Sequence, residues 1–397
     1  MSPIRHARLL PYRLPLCRPW RTQHGERTLR EGWLIELVCG DQVGYGECAP
    51  LPEAGTETAQ TARHWLSERL TTLPGRTPQQ ALTALPAATD CPAARCGLET
   101  ALLDLLARAR GLSLHRLLAE AVTLTAAATR AAQGDKRPRG SGLPPRLPPV
   151  DPAPQVAVEN HSYKHGDAMP LAVSVNANLG TLDAGVAARA AAAIREGYGI
   201  LKLKVGLAAP TTEATALRHL CESLPAGIRL RLDANSAWSF AEAHGLLRAM
   251  ADAPIEGVEE PLGPADRPLL GRLQQQLPFP LAWDESLPAL LAAAPDLAAQ
   301  ARRWVLKPMV LGGLLPALGI GRQAAGLGIE TLVTSTLESA CGLWACAQLA
   351  AALDPEARQT HGLATADWLG EHPGDPPAIA AGRLRLPDGS GSGFIPA

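Results

Sequence analysis

The chain has 397 residues, with 37 basic and 38 acidic side chains and a formal net charge of −1 at pH 7. This balance excludes a global electrostatic attraction to nucleic acid or to anionic membranes, so we expect neither as a partner. At about 100–200 residues per domain, the length predicts two or three domains, which can bury enough surface to fold without a metal or disulfides.

The first 20 residues lack the features of a secretory signal, because Arg5, Arg8 and Arg13 interrupt them and no apolar stretch follows. The longest uncharged apolar run, Ser339–Leu353, has 15 residues and predicts a buried helix rather than a membrane span. None of the eight cysteines forms a C-x-x-C pair. We therefore interpret them as reduced, mostly buried thiols of a cytoplasmic protein.

The first part of the chain is predicted to contain antiparallel strands followed by helices. Residues 33–39 and 43–48 have the composition of two strands, and a Gly-Asp turn joins them. The spacing of apolar residues then predicts helices over 56–70 and 95–106. Together these elements indicate a small α+β module.

Changes in composition suggest where the domains begin and end. We predict an α+β capping domain over residues 1–128, completed by residues 370–397, and a barrel over residues 170–369. The Pro-rich segment between them, residues 129–169, shows no periodicity, and we interpret it as a linker or a solvated insertion. A proline-rich ligand for a partner domain, or a basic docking site, is the alternative for this segment.

From residue 171 onward, short apolar strands alternate with Ala- and Leu-rich helices. We predict eight strands, beginning near Leu171, Gly199, Arg229, Gly257, Pro280, Arg303, Ile329 and Gly362. Their regular spacing, one βα unit each, predicts an α/β fold with a TIM-like (β/α) barrel, in the form (β/α)7β. An open doubly wound sheet is the alternative, but no G-x-G-x-x-G segment and no P-loop supports it.

Charged residues recur where consecutive predicted strands end. The five positions are Lys204, Asp233, Glu259, Asp284 and Lys307, and they are separated by 29, 26, 25 and 23 residues. In a parallel barrel, each such step moves one strand around the ring at the same height, and the carboxyl ends of the strands form the active-site face. The spacing therefore predicts three carboxylates between two lysines in one barrel mouth.

Three carboxylates from three strands suit a hard divalent cation, and Mg²⁺ in particular prefers oxygen ligands. Zinc is not expected, since no His or Cys stands at these strand ends. A single acidic residue after a strand more often caps the next helix or forms an ion pair. Five charged positions in consecutive units favour a metal site over that interpretation.

The two lysines indicate proton transfer. Lys202 shares a strand face with Lys204, and a neighbouring ammonium together with a bound cation favours the neutral form of Lys204, which can then act as a general base. Lys307 would arrive from the other side of the ring. This pattern predicts proton abstraction from a carbon next to a metal-bound carboxylate. A hydrolase that uses metal-bound water is possible, but it needs no lysine on each side.

These residues resemble the enolase superfamily, in its muconate-lactonising branch. The resemblance rests on the motifs L-K-L-K-V-G, R-L-D-A-N, E-E-P, W-D-E-S and L-K-P, in that order, and it covers nearly the whole chain. The N-terminal G-Y-G-E-C-A-P-L-P segment looks like the capping loop that closes over the substrate in that family. The segments A-W-D-E-S-L, R-L-D-A-N-S-A-W and S-T-L-E-S are most similar to the o-succinylbenzoate synthase family within the branch.

The resemblance implies roles for the residues that match these motifs. Asp233, Glu259 and Asp284 would bind Mg²⁺, with Lys204 as the acid/base and Lys307 on the opposite face. The implied reaction is a syn elimination of water from a succinyl-hydroxycyclohexadiene carboxylate, in a carbon–oxygen lyase of menaquinone biosynthesis. The reaction would pass through an enediolate.

Supporting roles follow from the same resemblance and from strand parity. Lys202 would tune Lys204, and Asn235 would support the site. Arg231 would orient the substrate, with a buried salt bridge as an equal alternative. Backbone groups near Gly312 and Ser335 would hold the succinyl carboxylate.

Two features depart from the family pattern. The Pro-rich segment is longer than usual, and Pro-Glu-Ala-Gly at residues 52–55 replaces the more usual Gly-Phe-Ser of the capping segment. The second departure weakens any inference about substrate fit.

Two further functions stay open at this point. An N-acylamino acid racemase or a dipeptide epimerase of the same superfamily would use Lys204 and Lys307 as bases on opposite faces. A binding protein on a barrel scaffold is an alternative of a different class, although all five charged positions are filled. The sequence gives no oligomeric state.

Overall fold

The computed structural model describes residues 2–22, 25–87, 90–121 and 172–397. The segment predicted as a linker, residues 129–169, lies outside the described residues. The boundaries predicted for the capping domain and the barrel therefore stay a prediction.

An antiparallel three-stranded sheet opens the chain. Its strands are β1 (Ile4–Thr22), β2 (Gly25–Cys39) and β3 (Gln42–Cys48), in the order β1-β2-β3. The two strands predicted from the sequence are confirmed, although β2 begins earlier than expected. Strand β1 was not predicted, because arginines and prolines interrupt its apolar pattern. Its position at the sheet edge tolerates both residue types.

Helices follow this sheet in the described part of the chain. They are α1 (Ala59–Leu70), α2 (Pro78–Thr83), α3 (Pro92–Ala109) and α4, residues 114–121. Helix α1 begins later than predicted because Thr58 is its N-cap and accepts a hydrogen bond from the Thr61 N–H. Helix α3 lies very close to β3, since a Cβ atom at Gly46 would collide with the backbone of Gly97.

The second half of the chain forms the predicted barrel. Its strands are β4 (Ala172–Val175), β5 (Ala177–Thr181), β6 (Ile200–Lys204), β7 (Arg229–Asp233), β8 (Ile255–Glu259), β9 (Leu281–Trp283), β10 (Arg303–Leu306), β11 (Glu330–Val333) and β12 (Thr360–His361). Strands β5 to β11 are parallel neighbours in chain order. Strands β4 and β5 make up the first predicted strand, and β12 ends where the eighth was predicted to begin.

Backbone hydrogen bonds close the ring. The N–H of Gly362 donates to the carbonyl oxygen of Val333 at 2.9 Å. The N–H of Asn176 donates to the carbonyl oxygen of His361 at 3.0 Å. Strand β12 therefore lies between β11 and β4. These bonds exclude the open doubly wound sheet that the sequence left as an alternative.

Helices surround the barrel. They are α5 (Val186–Arg195), α6 (Pro210–Glu222), α7 (Phe240–Ala249), α8 (Leu270–Gln274), α9 (Leu287–Ala293), α10 (Pro295–Ala298), α11 (Pro308–Leu311), α12 (Leu314–Gly326) and α13 (Ala340–Leu353). Helix α13 is the buried helix predicted from the sequence. Among the described residues, every helix is too short or insufficiently apolar to cross a lipid bilayer.

The C-terminal segment returns to both parts of the molecule. Strands β13 (Ile379–Ala380) and β14 (Arg383–Arg385) extend the sheet that contains β4. Further on, the Ser392 N–H donates to Asp104 Oδ1 of α3 at 2.6 Å, and the Phe394 ring packs edge-on against Tyr45 of β3. All eight cysteines lie in the described part of the chain; six are buried, and none forms a disulfide.

Candidate active site

One cavity of about 150 Å³ opens at the carboxyl ends of the barrel strands. Lys204 and Asp233 are the last residues of β6 and β7, and Lys204, Asp233 and Glu259 pair in register across three neighbouring strands. Asp284 and Lys307 directly follow β9 and β10. The structure therefore brings together all five charged residues predicted from their spacing.

Three buried carboxylates cluster at this end of the barrel, and two of them, Asp233 and Asp284, line the cavity. One oxygen each from Asp233, Glu259 and Asp284 lie within 4.8 Å of one another, and the three residues are 1–4% exposed. Among the described residues, Glu259 Oε1 is buried without a hydrogen-bond partner. Three clustered anions with an unsatisfied oxygen are the donor set that a hard divalent cation such as Mg²⁺ requires. The residues present therefore fit the predicted metal.

Three ammonium groups interleave with the carboxylates. Lys202 Nζ lies 3.0 Å from Asp233 Oδ2 and also contacts Glu259. Lys204 Nζ lies 3.1 Å from the same Asp233 oxygen, and Lys307 Nζ lies 2.6 Å from Asp284 Oδ1. Lys204 and Lys307 thus approach the carboxylates from different strands, on two sides of the cavity.

This arrangement shifts the pKa values of several of these side chains. Burial alone would raise the pKa of Asp233, but the ammonium groups of Lys202 and Lys204 outweigh it and hold that pKa well below its usual value. Burial and the nearby Glu285 raise the pKa of Asp284. Burial would lower the pKa of Lys307, but the carboxylates of Asp284 and Glu285 outweigh it and raise that pKa.

Glu260 binds the segment that carries Asp284, one of the three carboxylates. Its Oε1 accepts hydrogen bonds from the N–H groups of Asp284 and Ser286, both at 2.8 Å, and its Oε2 accepts one from Ser286 Oγ at 2.5 Å. Burial raises its pKa. Its backbone φ of +43°, uncommon for a residue with a side chain, turns it away from the neighbouring Glu259. Glu260 therefore orients the segment that carries Asp284.

Asn235 and Ser335, two of the predicted supporting residues, do line the cavity. Asn235 accepts a hydrogen bond from Lys204 Nζ and donates one to Glu285 Oε1 at 2.6 Å. The hydroxyl of Ser335 shares a hydrogen bond with Thr365 at 2.6 Å. The Ser335 N–H already donates to the carbonyl oxygen of Gly362, so the side chain is the group that this residue offers to the cavity.

The prediction that Arg231 contacts the substrate is not supported. This side chain is completely buried beneath the cavity. Its Nε donates to Glu256 Oε2 at 2.8 Å and its Nη1 donates to Asn176 Oδ1 at 3.1 Å. The buried salt bridge, the alternative weighed from the sequence, is what the structure shows. An unpaired guanidinium inside a barrel would be too costly.

The prediction that backbone groups near Gly312 hold the substrate also needs correction at that residue. Its N–H donates to the carbonyl oxygen of Pro308, and its own carbonyl oxygen accepts from the buried Arg95 of α3. Gly312 has a φ of +85° and ends α11 in the left-handed conformation. Both backbone groups therefore have partners, and the residue does not line the cavity.

Several residues of the cavity wall were not predicted. They are Asn176, Asn178, Thr334, Thr336 and Thr365 of the barrel. Leu51, Glu53 and Ala54 also line the cavity, and they belong to the capping segment that the resemblance implied would close over the substrate. Asn176 and Asn178 are two residues apart, so their side chains face the same side of the strand. Asn178 also pairs in register with Lys202. Strand parity could therefore have identified both asparagines. The threonines gave no comparable signal, because Thr is as frequent in ordinary strands.

The capping segment reaches the mouth of the cavity. Residues Pro52–Ala54 form a short 3-10 turn, and Gly55 ends it with a φ of +97°. Arg27 of β2 holds this turn by two hydrogen bonds to Glu53, at 2.7 and 2.9 Å. The first half of the chain therefore supplies one wall of the site.

Comparisons with known proteins agree with this fold. Residues 185–396 match a family model described as "Enolase C-terminal domain-like", and residues 4–105 match one described as "MenC, N-terminal domain". The chain is 25% identical over 381 residues to an o-succinylbenzoate synthase of Pasteurella multocida, covering 93% of this chain and 91% of that protein. It is 28% identical over 380 residues to one of Yersinia pseudotuberculosis, covering 92% of each.

Solved structures share the fold. The L-Ala-D/L-Glu epimerase of Bacillus subtilis superposes with a TM-score of 0.78 at 21% identity, covering 100% of this chain and 99% of that one. A muconate lactonizing enzyme of Pseudomonas fluorescens gives 0.76 at 21% identity, with 100% and 97% coverage. An N-succinyl Arg/Lys racemase of Bacillus cereus gives 0.77 at 19% identity, with 100% and 96% coverage.

Proposed function

The chain belongs to the enolase superfamily, and from this premise we propose that it is an o-succinylbenzoate synthase. Such a hydro-lyase converts 2-succinyl-6-hydroxy-2,4-cyclohexadiene-1-carboxylate into 2-succinylbenzoate in menaquinone biosynthesis. The observation that carries the proposal is the placement of Lys204 and Lys307 on two sides of three buried carboxylates. The likeness of both halves of the chain to synthases supports the choice of substrate.

We propose that Asp233, Glu259 and Asp284 hold a Mg²⁺ ion. When bound, the ion would neutralise negative charge that develops on the substrate carboxylate as the neighbouring carbon loses its proton. The three carboxylates supply oxygen ligands only, which suits this metal.

Lys204 would carry out both proton transfers. In its neutral form it removes the proton from the carbon that bears the carboxylate, and the electrons of that C–H bond move onto the carboxylate, which gives an enediolate. The resulting ammonium then donates the same proton to the hydroxyl on the neighbouring carbon. The enediolate electrons return to form a C=C bond of the ring as the C–O bond breaks and water leaves. Because one amine serves both steps, both groups depart from the same face, as a syn elimination requires.

Lys307 would remain protonated throughout. Its Nζ lies 2.6 Å from Asp284 Oδ1, and this close contact with a carboxylate favours the ammonium form. A fixed cation on the second side of the substrate stabilises the same developing negative charge without giving up a proton. The amide and hydroxyl groups of Asn178, Thr334 and Thr365 offer hydrogen bonds to the succinyl tail.

A racemase or epimerase acting on an N-acylated amino acid or a dipeptide is the second candidate. The observation that favours it is the second amine, because racemisation needs an acid/base on each face of the substrate carbon. The two functions share the first proton abstraction, so the site residues do not separate them.

Direct assay separates the two candidates. The purified protein is incubated with Mg²⁺ in three separate reactions. The substrates are the cyclohexadiene carboxylate, an N-succinyl amino acid and L-Ala-L-Glu. We expect the aromatic product 2-succinylbenzoate to form fastest. Racemisation or epimerisation without any dehydration would contradict the proposal. We also propose a cytoplasmic location, which is supported by eight cysteines that form no disulfide in the described part of the chain.

A further inference from the structure

Arg30 of β2 is completely buried and lies between two walls of the cavity. On one side its guanidinium donates to the carbonyl oxygens of Ala49 and Pro50, the latter at 2.5 Å. On the other side it donates to those of Leu337, at 2.9 Å, and Thr336, at 3.3 Å. One side chain therefore connects the capping segment with a barrel loop about 300 residues further along the chain.

Both connected segments touch the cavity. Pro50 directly precedes Leu51, a wall residue, and Thr336 and Leu337 are themselves wall residues. Leu337 has a φ of +60°, a strained conformation for a leucine that persists only when surrounding contacts hold it. The bond from Arg30 to the Leu337 carbonyl is one of those contacts.

The guanidinium has an unusual environment for a buried cation. Among the described residues, no carboxylate oxygen lies within 4.0 Å of it, so four backbone carbonyls satisfy it instead. Burying a cation is costly unless its N–H groups find hydrogen-bond acceptors. Only the planar fork of arginine can donate to this many acceptors in fixed directions; lysine has three donors on a single atom.

Two buried carboxylates, one of the loop itself and one of the N-terminal sheet, also hold this barrel loop. Glu338 accepts hydrogen bonds from the N–H and the hydroxyl of Thr336. Glu47 of β3 accepts from the N–H and hydroxyl of Ser339, both at 2.8 Å, and from the N–H of Gly342 at 2.7 Å. The loop after β11 is thus fixed by charged groups, two of which come from the N-terminal sheet.

We propose that Arg30 is a positioning residue that sets the distance between the capping segment and the loop after β11, and thereby the affinity for the substrate. It touches neither the carboxylate cluster nor its lysines, so it acts on substrate binding rather than on proton transfer. The substrate named here rests on the proposed function, whereas the connection between the two walls does not.

The test compares Arg30→Lys with the wild type and with Arg13→Lys as matched control. Arg13 lies on the neighbouring strand β1, and its side chain is 69% exposed. It forms a surface ion pair with Glu31. For Arg30→Lys we expect KM for dehydration to rise about tenfold, kcat to fall less than about threefold, and Mg²⁺ affinity to stay within about twofold. Amide hydrogen exchange should accelerate in residues 49–55 and 335–339. The control should match the wild type in all four measurements.

Unchanged KM and unchanged exchange in Arg30→Lys would overturn the proposal, and so would an equal loss of Mg²⁺ affinity, which indicates general loosening. If this variant does not fold, Glu338→Gln decides, because it releases Thr336 and leaves Arg30 in place. A KM rise without a change in Mg²⁺ affinity supports the proposal, and an unchanged KM overturns it.

The hydrogen-exchange measurement needs no substrate, so it separates this proposal from the proposed function. If the wild type performs no dehydration, faster exchange in both segments of Arg30→Lys still supports the positioning role. Exchange that stays at the wild-type rate in either segment overturns it, whatever reaction the enzyme catalyses.

Discussion

The two halves of the barrel mouth are built in different ways. Strands β6 to β9 carry the carboxylates and Lys204, and they are supported by neighbours within the barrel, such as Glu260 beneath Asp284. The loops after β10 and β11 form the other half, and side chains of the N-terminal module hold them. The proposed proton transfer therefore depends on local barrel geometry, whereas the proposed substrate wall depends on contacts between distant parts of the chain.

The loop after β10 shows the same dependence as the loop after β11. Arg95 and Glu99 of α3 form a buried ion pair at 2.8 Å. Arg95 donates to the Gly312 carbonyl oxygen, and Glu99 Oε2 accepts from the Leu315 N–H at 2.9 Å. The N-terminal module therefore also holds the segment just after Lys307 in place by hydrogen bonds. Changes in this module should alter substrate binding, and changes in β6 to β9 should alter chemistry and metal binding.

The largest effect is expected from Lys204→Ala. Removing the proposed base should lower kcat by about 10³-fold or more while the melting temperature changes little. Steady-state dehydration kinetics and thermal unfolding measure both effects. Arg229→Ala, at the exposed opposite end of the neighbouring strand, serves as the control. A Lys204→Ala enzyme with near-normal turnover would remove this residue from the mechanism.

Asp233→Asn should come next. The variant loses one anionic oxygen of the carboxylate cluster, so Mg²⁺ affinity and activity should fall together, each by about 100-fold. Titration calorimetry with Mg²⁺ and activity as a function of Mg²⁺ concentration check this result. Asp252→Asn, at an exposed position before β8, is the control. An unchanged Mg²⁺ dependence would count against the three-carboxylate site.

Glu260→Gln should have an intermediate effect. The substitution changes a residue that holds Asp284 in place, but it leaves Asp284, the proposed Mg²⁺ ligand, unchanged. The amide nitrogen of Gln cannot accept hydrogen bonds, so part of the anchoring of Asp284 and Ser286 is lost. We expect Mg²⁺ affinity to fall about tenfold. Calorimetry on this variant would argue against a supporting role if the affinity equalled that of the wild type.

Glu47→Gln probes the other half of the mouth. The substitution weakens three hydrogen bonds to the start of α13, so KM should rise about fivefold with Mg²⁺ affinity unchanged. Parallel kinetics and Mg²⁺ titration measure this split. If Mg²⁺ affinity fell as far as substrate affinity, the two halves of the mouth would not be separable.

The smallest effect is expected from Glu53→Gln. The Arg27–Glu53 pair is partly exposed, with side chains 30% and 19% accessible, and such pairs contribute about 1 kcal/mol or less. KM should rise about twofold, and the difference from the wild type should shrink in high salt. Kinetics at low and high ionic strength test both points. A loss of more than about tenfold would place Glu53 in direct contact with substrate.

The same contrast explains what could be predicted from the sequence. Residues at the ends of consecutive strands share one height in a parallel barrel, so Lys204, Asp233 and Asp284 could be assigned from spacing alone. Arg231 has the same strand parity as Asp233, but it lies lower in the barrel and pairs with Glu256. Parity gives the face of a strand, not the depth.

The contacts of the N-terminal module could not be predicted in this way. Arg30 and Thr336 are 306 residues apart, and no local pattern indicates that they meet. The edge strand β1 escaped prediction for a related reason: it is exposed on one side, so its sequence carries arginines and prolines among the apolar residues. Long-range contacts of single side chains become visible only when the fold is known.

The most direct measurement is a crystal structure with Mg²⁺ and 2-succinylbenzoate bound. The account predicts one metal ion bound by oxygens of Asp233, Glu259 and Asp284, with the amines of Lys204 and Lys307 on opposite faces of the product. A metal ion bound elsewhere, or both amines on the same face, would contradict it.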